Sequence, residues 1–304
     1  MSAIVEVRDL AKSYGGLRAV DNVSFDVEPG QAVCLLGPNG SGKTTTLRSI
    51  TGLLRPDSGS VKICGIDLRR SLRRAKQNFS YLPQQPSFPA NITIREVTNF
   101  HAKLRRLEED RIVSSLQEAG ISEAEESRMV GELSGGMRQR LSLAVAGMPD
   151  VPLMVFDEPT ANLDPESALR FREQAKRRRE AGKSLLFSTH VLTDVEELAD
   201  RVVVLVSGRV VAEENVSQLR ADLRQFALLR VDVGRPTEEH VRVAMECGAT
   251  EARLNHRAVI ITAPVEQRYP ILKRLGELGT VNHFDTEEPS IEHIYLKYVR
   301  EASQ

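Results

Sequence analysis

Short apolar runs alternate along the chain with longer segments whose apolar residues recur at helical spacing. The runs at residues 32–36, 151–156 and 184–189 are typical of strands buried on both faces in a parallel sheet. Strands are predicted at residues 4–7, 22–27, 32–36, 60–63, 79–82, 151–156, 184–189, 201–206 and 210–212. Helical spacing at residues 94–107 and 110–118 predicts an all-helical insert. The pattern therefore favours an α/β fold around a parallel core sheet.

The last part of the chain follows a different order. Strand-like alternation at 226–233 precedes a helix at 237–247 with Thr237 as its N-cap. A hairpin, a helix and a strand follow, at residues 250–255, 258–262, 265–278 and 280–285. This βαββαβ order is that of the ferredoxin-like split motif, closed by an amphipathic helix at 290–299. We therefore expect two domains, residues 1–215 and a small α+β domain at 216–304.

Composition and charge give few signals about the partners of this chain. The 304 residues include 41 Lys plus Arg and 42 Asp plus Glu, so charge balance does not favour nucleic acid as the main partner. Cys34, Cys64 and Cys247 lack disulfide or zinc spacing and are interpreted as small buried hydrophobes in a reducing compartment. The N-terminus lacks an export signal, so the mature protein is expected to start here. No apolar run approaches the roughly 18 residues of a membrane span, so a membrane role requires a separate membrane protein.

The clearest chemical signal is the stretch GPNGSGKTT at residues 37–45, between an apolar strand and a helical segment. Its glycines let backbone N–H groups line a concave nest, and the helix dipole adds positive charge there. Lys43 supplies a cation for the outer phosphates, and Thr44 supplies a hydroxyl ligand for Mg²⁺. The spacing matches the phosphate loop in full, which disfavours a glycine-rich turn that binds nothing.

A second turn of the same physical type follows at Ser134, Gly135 and Gly136, directly before a helix with Arg138 and Arg140 in its first turns. It is a further candidate anion site. An N-cap serine followed by two permissive glycines explains the local pattern equally well.

Acidic and polar residues stand where strands end. The 151–156 run delivers Asp157, which can hold Mg²⁺ through its water shell, and Glu158, which can accept a proton from a water that attacks the γ-phosphate. Gln84 follows the 79–82 strand, and His190 follows the 184–189 strand, where it could contact the γ-phosphate. His190 taken alone is more often a capping or loop residue.

Two further residues complete the candidate site. Tyr14 is predicted on a loop beside Gly15 and Gly16, where its ring could stack on adenine or pack on its own sheet. Asp164 ends the tight loop PTANLDP.

Taken together, these motifs resemble the ATP-binding subunits of ABC transporters over roughly the first 215 residues. GPNGSGKTT resembles the Walker A loop, LSGGM at 133–137 the signature motif, and LMVFDE at 153–158 the Walker B strand. Gln84, Asp164 and His190 fall at the Q-loop, the D-loop and the switch histidine. The signature departs from the common pattern at Met137, where many members have glutamine.

The resemblance implies a P-loop NTPase fold with a parallel core sheet, an antiparallel β subdomain and a helical insert. It also implies ATP as substrate, bound by Tyr14, Gly37, Asn39, Gly40, Ser41, Gly42, Lys43, Thr44, Thr45, Ser134, Gly135, Gly136 and Asp164. Mg²⁺ is expected at Thr44, Gln84 and Asp157, and catalysis at Glu158, His190 and Gln84.

The same resemblance explains two anion sites in one chain. In the family, two subunits form a head-to-tail homodimer in which the signature turn of one closes over ATP held by the other. We expect a separately encoded transmembrane permease, a position on the inner, cytoplasmic face of the membrane, and no nucleic-acid partner. The segment QPSFPANIT at 85–93 is expected to expose Phe88 and Ile92 at the docking groove.

The motif RQRL after Met137 and the ending EEPSIEHIYLKYV resemble ATPases of export systems, including the NosF type. The ending is too short to identify a substrate. The favoured interpretation of residues 216–304 is an appendage that stabilises the dimer without a ligand. A soluble ABC-type ATPase clamp acting on ribosomes, DNA or cofactor assembly is the alternative function. A simple P-loop kinase is disfavoured by the second anion site and by the adjacent Asp157 and Glu158.

Overall fold

The chain divides into two compact units. The computed structural model describes residues 2–161, 163–279 and 281–287, together with residues 291, 295, 298 and 302. The first unit comprises Met1–Glu214 with Tyr298–Gln304, and the second comprises Asn215–Lys297. Within the first unit, the Tyr298 hydroxyl donates a hydrogen bond of 2.7 Å to Glu214. None of the helices in the described part of the chain is long and apolar enough to cross a bilayer.

The first unit contains the strands β1 (Val5–Tyr14), β2 (Leu17–Val27), β3 (Ala32–Leu36), β4 (Ser58–Ile63), β5 (Ile66–Asp67), β6 (Phe79–Leu82), β7 (Leu153–Asp157), β8 (Ser184–Thr189), β9 (Arg201–Val206) and β10 (Arg209–Asn215). Its helices are α1 (Lys43–Ile50), α2 (Leu68–Ala75), α3 (Ile94–Arg105), α4 (Glu109–Glu118), α5 (Gly135–Gly147), α6 (Pro165–Glu180) and α7 (Leu192–Leu198).

A six-stranded sheet in the order β10-β9-β3-β8-β7-β6 forms the centre of the first unit. Strand β3 pairs in parallel with β8 and β9, and β7 pairs in parallel with β6 and β8. Every residue of β3, β7 and β8 is buried, as the unbroken apolar runs predict. Parallel pairing brings the carboxyl ends of these strands to one edge, where ligands bind in such sheets.

A second sheet is antiparallel, in the order β2-β1-β4-β5. One apolar core joins it to the central sheet. That core contains Val7 and Phe25 from the antiparallel sheet, Leu35 and Leu186 from the central sheet, and Leu47 from α1. Helix α1 is therefore fixed by the same core that holds the two sheets together, and this packing determines where the phosphate loop before it lies.

The helical insert has its own apolar core, formed by α3, α4, α5 and the segments between them. Helix α3 begins with a capping box in which Thr93 and Glu96 satisfy each other's backbone N–H groups. The expectation that Phe88 and Ile92 are exposed is wrong. Both are half-buried against this core, and the Phe88 ring meets the His101 ring edge-on with centroids 6.2 Å apart.

The second unit contains α8 (Val216–Leu223), β11 (Phe226–Asp232), α9 (Glu238–Glu246), β12 (Glu251–Asn255), β13 (Ala258–Pro264), α10 (Arg268–Leu278) and β14 (His283–Glu287). Its antiparallel strands have the order β12-β13-β11-β14, the strand order of the ferredoxin-like motif. Alternate residues of β11 and β13 pack with α9 and α10 in one apolar core. The helix predicted at 290–299 lies mostly outside the described residues, although Ile291, Tyr295 and Tyr298 are helical.

Two local predictions are wrong for geometric reasons. Tyr14 is the last residue of β1 and not part of a loop, because Gly15 and Gly16 alone make the turn to β2. Both glycines have positive φ, which a two-residue hairpin turn favours. Cys64 is exposed and not buried, because it turns the chain between β4 and β5 with φ of 49°.

A chain shortened to residues 1–214 should fold, because the core of the two sheets and the core of the helical insert both lie within it. It loses the Tyr298 hydrogen bond to Glu214, which contributes at most about 3 kcal/mol. Far-UV circular dichroism and thermal unfolding would measure this. Tyr298→Phe in the full chain is the matched control, since it removes the same hydrogen bond. An insoluble or non-cooperative shortened chain would contradict the division into independent units.

Candidate functional site

The phosphate loop is shaped by close approaches that only glycine permits. A Cβ at Gly42 would lie 2.3 Å from the Ala19 carbonyl oxygen, and one at Gly37 would lie 2.3 Å from that of Leu205. Gly42 is also the N-cap of α1 with φ of 97°, in the left-handed region. The loop therefore leaves β3 and enters α1 along a tight path, and the first N–H groups of α1 lack partners within the helix.

Lys43, at the start of α1, is almost fully buried. Its ammonium donates hydrogen bonds to the carbonyl oxygens of Gly37, at 2.8 Å, and Pro38, at 3.1 Å. Burial lowers the pKa of Lys43, while the carboxylates of Glu158 and Asp157 raise it. The loop thus encloses a cation beside two acids, which suits a polyphosphate that carries a divalent metal.

Asp157 ends β7 and is fully buried. Its Oδ1 accepts hydrogen bonds from the Ser188 hydroxyl, at 2.7 Å, and from the Thr44 hydroxyl, at 3.0 Å. Burial raises the pKa of Asp157, and these two hydrogen bonds oppose that shift. Among the described residues, its Oδ2 has no hydrogen-bond partner, and neither has the buried Ser41 hydroxyl in the phosphate loop. An unpaired carboxylate oxygen beside Thr44 has the donor chemistry that Mg²⁺ prefers.

Glu158 follows Asp157 in the left-handed backbone region, with φ of 49°. Its N–H lies within hydrogen-bond distance of both the Ser188 hydroxyl, at 3.0 Å, and the Ser188 carbonyl, at 3.1 Å. Its Oε2 accepts a hydrogen bond of 2.9 Å from the Gln84 amide and lies 3.4 Å from His190 Nδ1. The structure therefore brings these three side chains, predicted from three different strand ends, into contact.

The turn at Ser134 begins α5. The Ser134 hydroxyl accepts a hydrogen bond of 3.2 Å from the Met137 N–H, so the capping role that the sequence left open is present. Ser134 and Gly135 are exposed. No hydrogen bond within the described part of the chain links this turn to the phosphate loop. The two candidate anion sites stand at the N-termini of different helices, α1 and α5.

The remaining predicted residues lie around these two sites. Asn39 and Gly40 are exposed at the loop tip, and Thr45 is half-buried in α1. The Tyr14 side chain is 49% exposed, with the Lys12 ammonium 5.8 Å from its ring centroid. Asp164 caps α6 by accepting hydrogen bonds from the Ser167 N–H and hydroxyl, which lower the pKa of Asp164.

Sequence reasoning missed Ser188, whose hydroxyl lies between Asp157 and the Glu158 N–H. A polar residue inside the apolar run of β8 was the available signal. It also missed Gln139, which is buried in α5 and donates a hydrogen bond of 3.0 Å to the Pro159 carbonyl. This bond joins the helix of the second turn to the segment that follows Glu158.

Within the part of the chain that the structure describes, no group of three His, Cys, Asp or Glu side chains could hold a metal. A buried lysine, a hydroxyl and a carboxylate around a glycine-shaped loop between a strand and a helix define a nucleotide-binding site of the P-loop class.

Comparison with known proteins identifies the family. A family model described as "ABC transporter" matches residues 20–161. An uncharacterized ABC transporter ATP-binding protein of Bacillus subtilis strain 168, YxlF, is 33% identical over 97% of this chain and 99% of its own length. The Nod factor export ATP-binding protein I of Rhizobium etli is 31% identical over 96% of this chain and 92% of its own.

Solved structures of ATP-binding cassettes are also similar to this chain. The ATP-binding subunit of an ABC transporter has a TM-score of 0.67 and 30% identity, covering 73% of this chain and 93% of its own. A dimeric ATP-binding cassette in a post-hydrolysis state, bound to ADP and Pi, has a TM-score of 0.65 and 26% identity over 70% of this chain and 98% of its own.

The chain belongs to the ABC transporter family. It is an ATP-binding subunit of that family, and its enzymatic activity is ATP hydrolysis.

Proposed function

We propose that this subunit powers an exporter by head-to-tail closure of a homodimer around two ATP molecules, beneath a separate membrane permease. The observation that carries the proposal is the presence of two glycine-rich anion cradles in one chain, one before α1 and one before α5. Closure of a second copy would place the Ser134 turn of one subunit over the phosphate loop of the other. The dimeric cassette among the similar structures and the relatives named for Nod factor export support this proposal.

Mg²⁺ fits the residues beside the phosphate loop. Thr44 and Asp157 would hold it, the latter through a water molecule, with the Gln84 side-chain oxygen as a further candidate ligand. The unpaired Oδ2 of Asp157 supports this assignment. When bound, the ion would neutralise developing charge on the β- and γ-phosphates.

The chain's own residues supply binding and proton transfer. Lys43 and the N–H groups at the start of α1 would hold the phosphates, and Tyr14 would stack on adenine. Glu158 would accept the proton of the attacking water, because its carboxylate stands at the strand end beside the phosphate loop. Gln84 and His190 contact the same oxygen of Glu158 and would orient both that carboxylate and the γ-phosphate.

Glu158→Gln should lower the rate of hydrolysis by roughly 10²- to 10⁴-fold, because it keeps the shape of the side chain and removes the base. ATP binding should persist, so the variant should accumulate as an ATP-bound dimer. Steady-state phosphate release and size-exclusion chromatography with ATP would measure the two effects. Glu180→Gln, on the exposed end of α6, is the control for loss of one charge. Hydrolysis at the native rate by Glu158→Gln would exclude this base.

A mixture of two inactive variants tests whether each site is shared between subunits. Lys43→Ala should bind ATP roughly 10- to 150-fold more weakly, the range for a hydrogen bond to a charged group. Ser134→Arg should leave ATP binding by one subunit intact and block closure, because its long side chain would fill the second cradle. Mixed in equal amounts, the two should regain hydrolysis from dimers that contain one intact composite site. Dimers that form but stay inactive would contradict a shared site.

A groove in the first unit is the proposed docking site for the permease. It has a volume of about 250 Å³ and lies between the central sheet and the helical insert, lined among others by Phe79, Tyr81 and Val145. Two leucines on its rim are strongly exposed, Leu53 at 59% and Leu104 at 69%. Exposed leucines beside an apolar groove are typical of a protein-binding site. We therefore propose this groove as the docking surface in place of Phe88 and Ile92.

Leu104→Asp should weaken binding to membranes that contain the permease by at least about tenfold, because a charge replaces an apolar anchor. ATP binding and the far-UV circular dichroism spectrum should stay native. Val113→Asp is the matched control, since Val113 is also an exposed residue of the helical insert and does not line the groove. Co-sedimentation with membranes measures the effect. Equal recruitment of both variants would remove this groove as the docking site.

Residues 215–297 are proposed to form a separate accessory domain that adds contacts between the two subunits. Its closed apolar core between one sheet face and two helices supports an independent fold.

A further inference from the structure

Among the residues that the structure describes, the most buried acidic group that the mechanism does not use is Asp194, in the first turn of α7. Its side chain is fully buried. Oδ2 accepts hydrogen bonds from the Thr160 hydroxyl, at 2.5 Å, and the Thr189 hydroxyl, at 3.1 Å. Oδ1 accepts a hydrogen bond of 3.1 Å from Arg172 of α6. A buried carboxylate with this many donors is held tightly, because every lost bond would leave a buried polar group unsatisfied.

The two threonines belong to the two segments that carry the reacting side chains. Thr160 stands two residues after Glu158, and Thr189 stands directly before His190. The Thr189 hydroxyl also accepts a hydrogen bond of 2.9 Å from the Val191 N–H, so it holds the backbone on both sides of His190. Thr160 and Thr189 are themselves buried, so water cannot replace the carboxylate as their partner.

We propose that Asp194 is a positioning residue for hydrolysis, which fixes the Glu158 segment and the His190 segment to each other through Thr160 and Thr189. The inference rests on the function proposed above. Glu158 Oε2 and His190 Nδ1 are 3.4 Å apart, and the network around Asp194 sets the anchor points of both backbones. Arg172 of α6 neutralises the buried charge of Asp194 and so ties the Asp194 hydrogen-bond network to α6. The N-cap of α6 is Asp164.

A second consequence concerns the loop between Glu158 and Asp164. Thr160 belongs to this loop, so Asp194 holds the loop through Thr160. Asp194 therefore connects the position of His190 to the position of this loop. A shift of one segment by about 1 Å is enough to cost roughly 10²-fold in rate when reacting groups lose alignment.

The test uses a pair of variants at Thr160 in the full chain. Thr160→Val keeps the shape of the side chain and removes the donated hydrogen bond. Thr160→Ser keeps the hydroxyl and loses a methyl group. Thr160→Val should lower the single-turnover rate of hydrolysis by roughly 10- to 100-fold and leave the dissociation constant for ATP unchanged. Thr160→Ser should hydrolyse ATP near the native rate. A purely structural role would not separate rate from affinity in this way.

Asp194→Asn should lower the rate in the same range, and Thr160→Val combined with Asp194→Asn should lose no more than the worse single variant, since both break one network. Glu197→Gln is the matched control on α7. It removes a carboxylate that also pairs with Arg172 but touches neither threonine, so its rate should stay native.

Native single-turnover hydrolysis by Thr160→Val would overturn the proposal, and so would an equal loss in Thr160→Ser and Thr160→Val. Should Asp194→Asn fail to fold, the two Thr160 variants still decide the question. Glu158→Gln is measured in parallel, because it distinguishes the proposed role of Glu158 as base from the positioning role of Asp194. Native hydrolysis by Glu158→Gln contradicts the proposed base, whereas an inactive Glu158→Gln beside a fully active Thr160→Val contradicts only the positioning role of Asp194.

Discussion

The parallel pairing of β3, β8 and β7 is the constraint on which the rest of this structure depends. In the observed register, Leu36 lies opposite Thr189 and Asp157 lies opposite Ser188, so three strands end at nearly the same level. The phosphate loop, the acid pair and the histidine each follow one of these ends. Because all three strands are buried on both faces, a slip of the register would also disrupt the apolar core. The geometry of the candidate site and the packing of the core therefore depend on the same strand register.

The strand ends carry polar groups into the buried interior, where these groups share hydrogen-bond partners. The Ser188 hydroxyl donates a hydrogen bond to Asp157 and lies within hydrogen-bond distance of the Glu158 N–H. Asp194 accepts hydrogen bonds from residues of three different segments. Glu158 has a left-handed backbone, which costs a non-glycine residue of order 1–3 kcal/mol. Such strain persists only where surrounding contacts determine it, and here the bonds to Ser188 and Gln84 do so.

The phosphate loop and the Ser134 turn are two different sites on the same chain. One chain presents a phosphate loop with a buried lysine and, elsewhere, an exposed serine and glycine turn at a helix N-terminus. Gln139 ties the helix of that turn to the segment after Glu158, and Asp194 ties the same segment to the strand before His190. A short chain of buried hydrogen bonds thus joins the helix of the Ser134 turn, the segment after Glu158 and the strand before His190.

The sequence by itself determined the elements of the central sheet, the phosphate loop and the identity of the residues at the strand ends. Unbroken apolar runs identify buried strands, and glycine spacing with Lys43 and Thr44 has few structural uses besides holding phosphate. It also predicted the βαββαβ order of the second unit, because strand and helix periodicities differ clearly there. The boundaries were less certain, and β1 and β2 are longer than their apolar cores because their polar ends are held by pairing with each other.

Only the tertiary structure decided which side chains meet. Phe88 and Ile92 have no periodic pattern to bury them, yet they pack on a core that α3, α4 and α5 form together. The sequence predicts Tyr14 on a loop, because two glycines can form a two-residue turn or part of a longer one and their spacing does not distinguish the two. Ser188 and Asp194 gave weak local signals, since their partners Asp157, Thr160 and Arg172 lie 22 to 34 residues away. Hydrogen bonds between distant segments depend on strand order and register, and neither is written in the local pattern of a single chain.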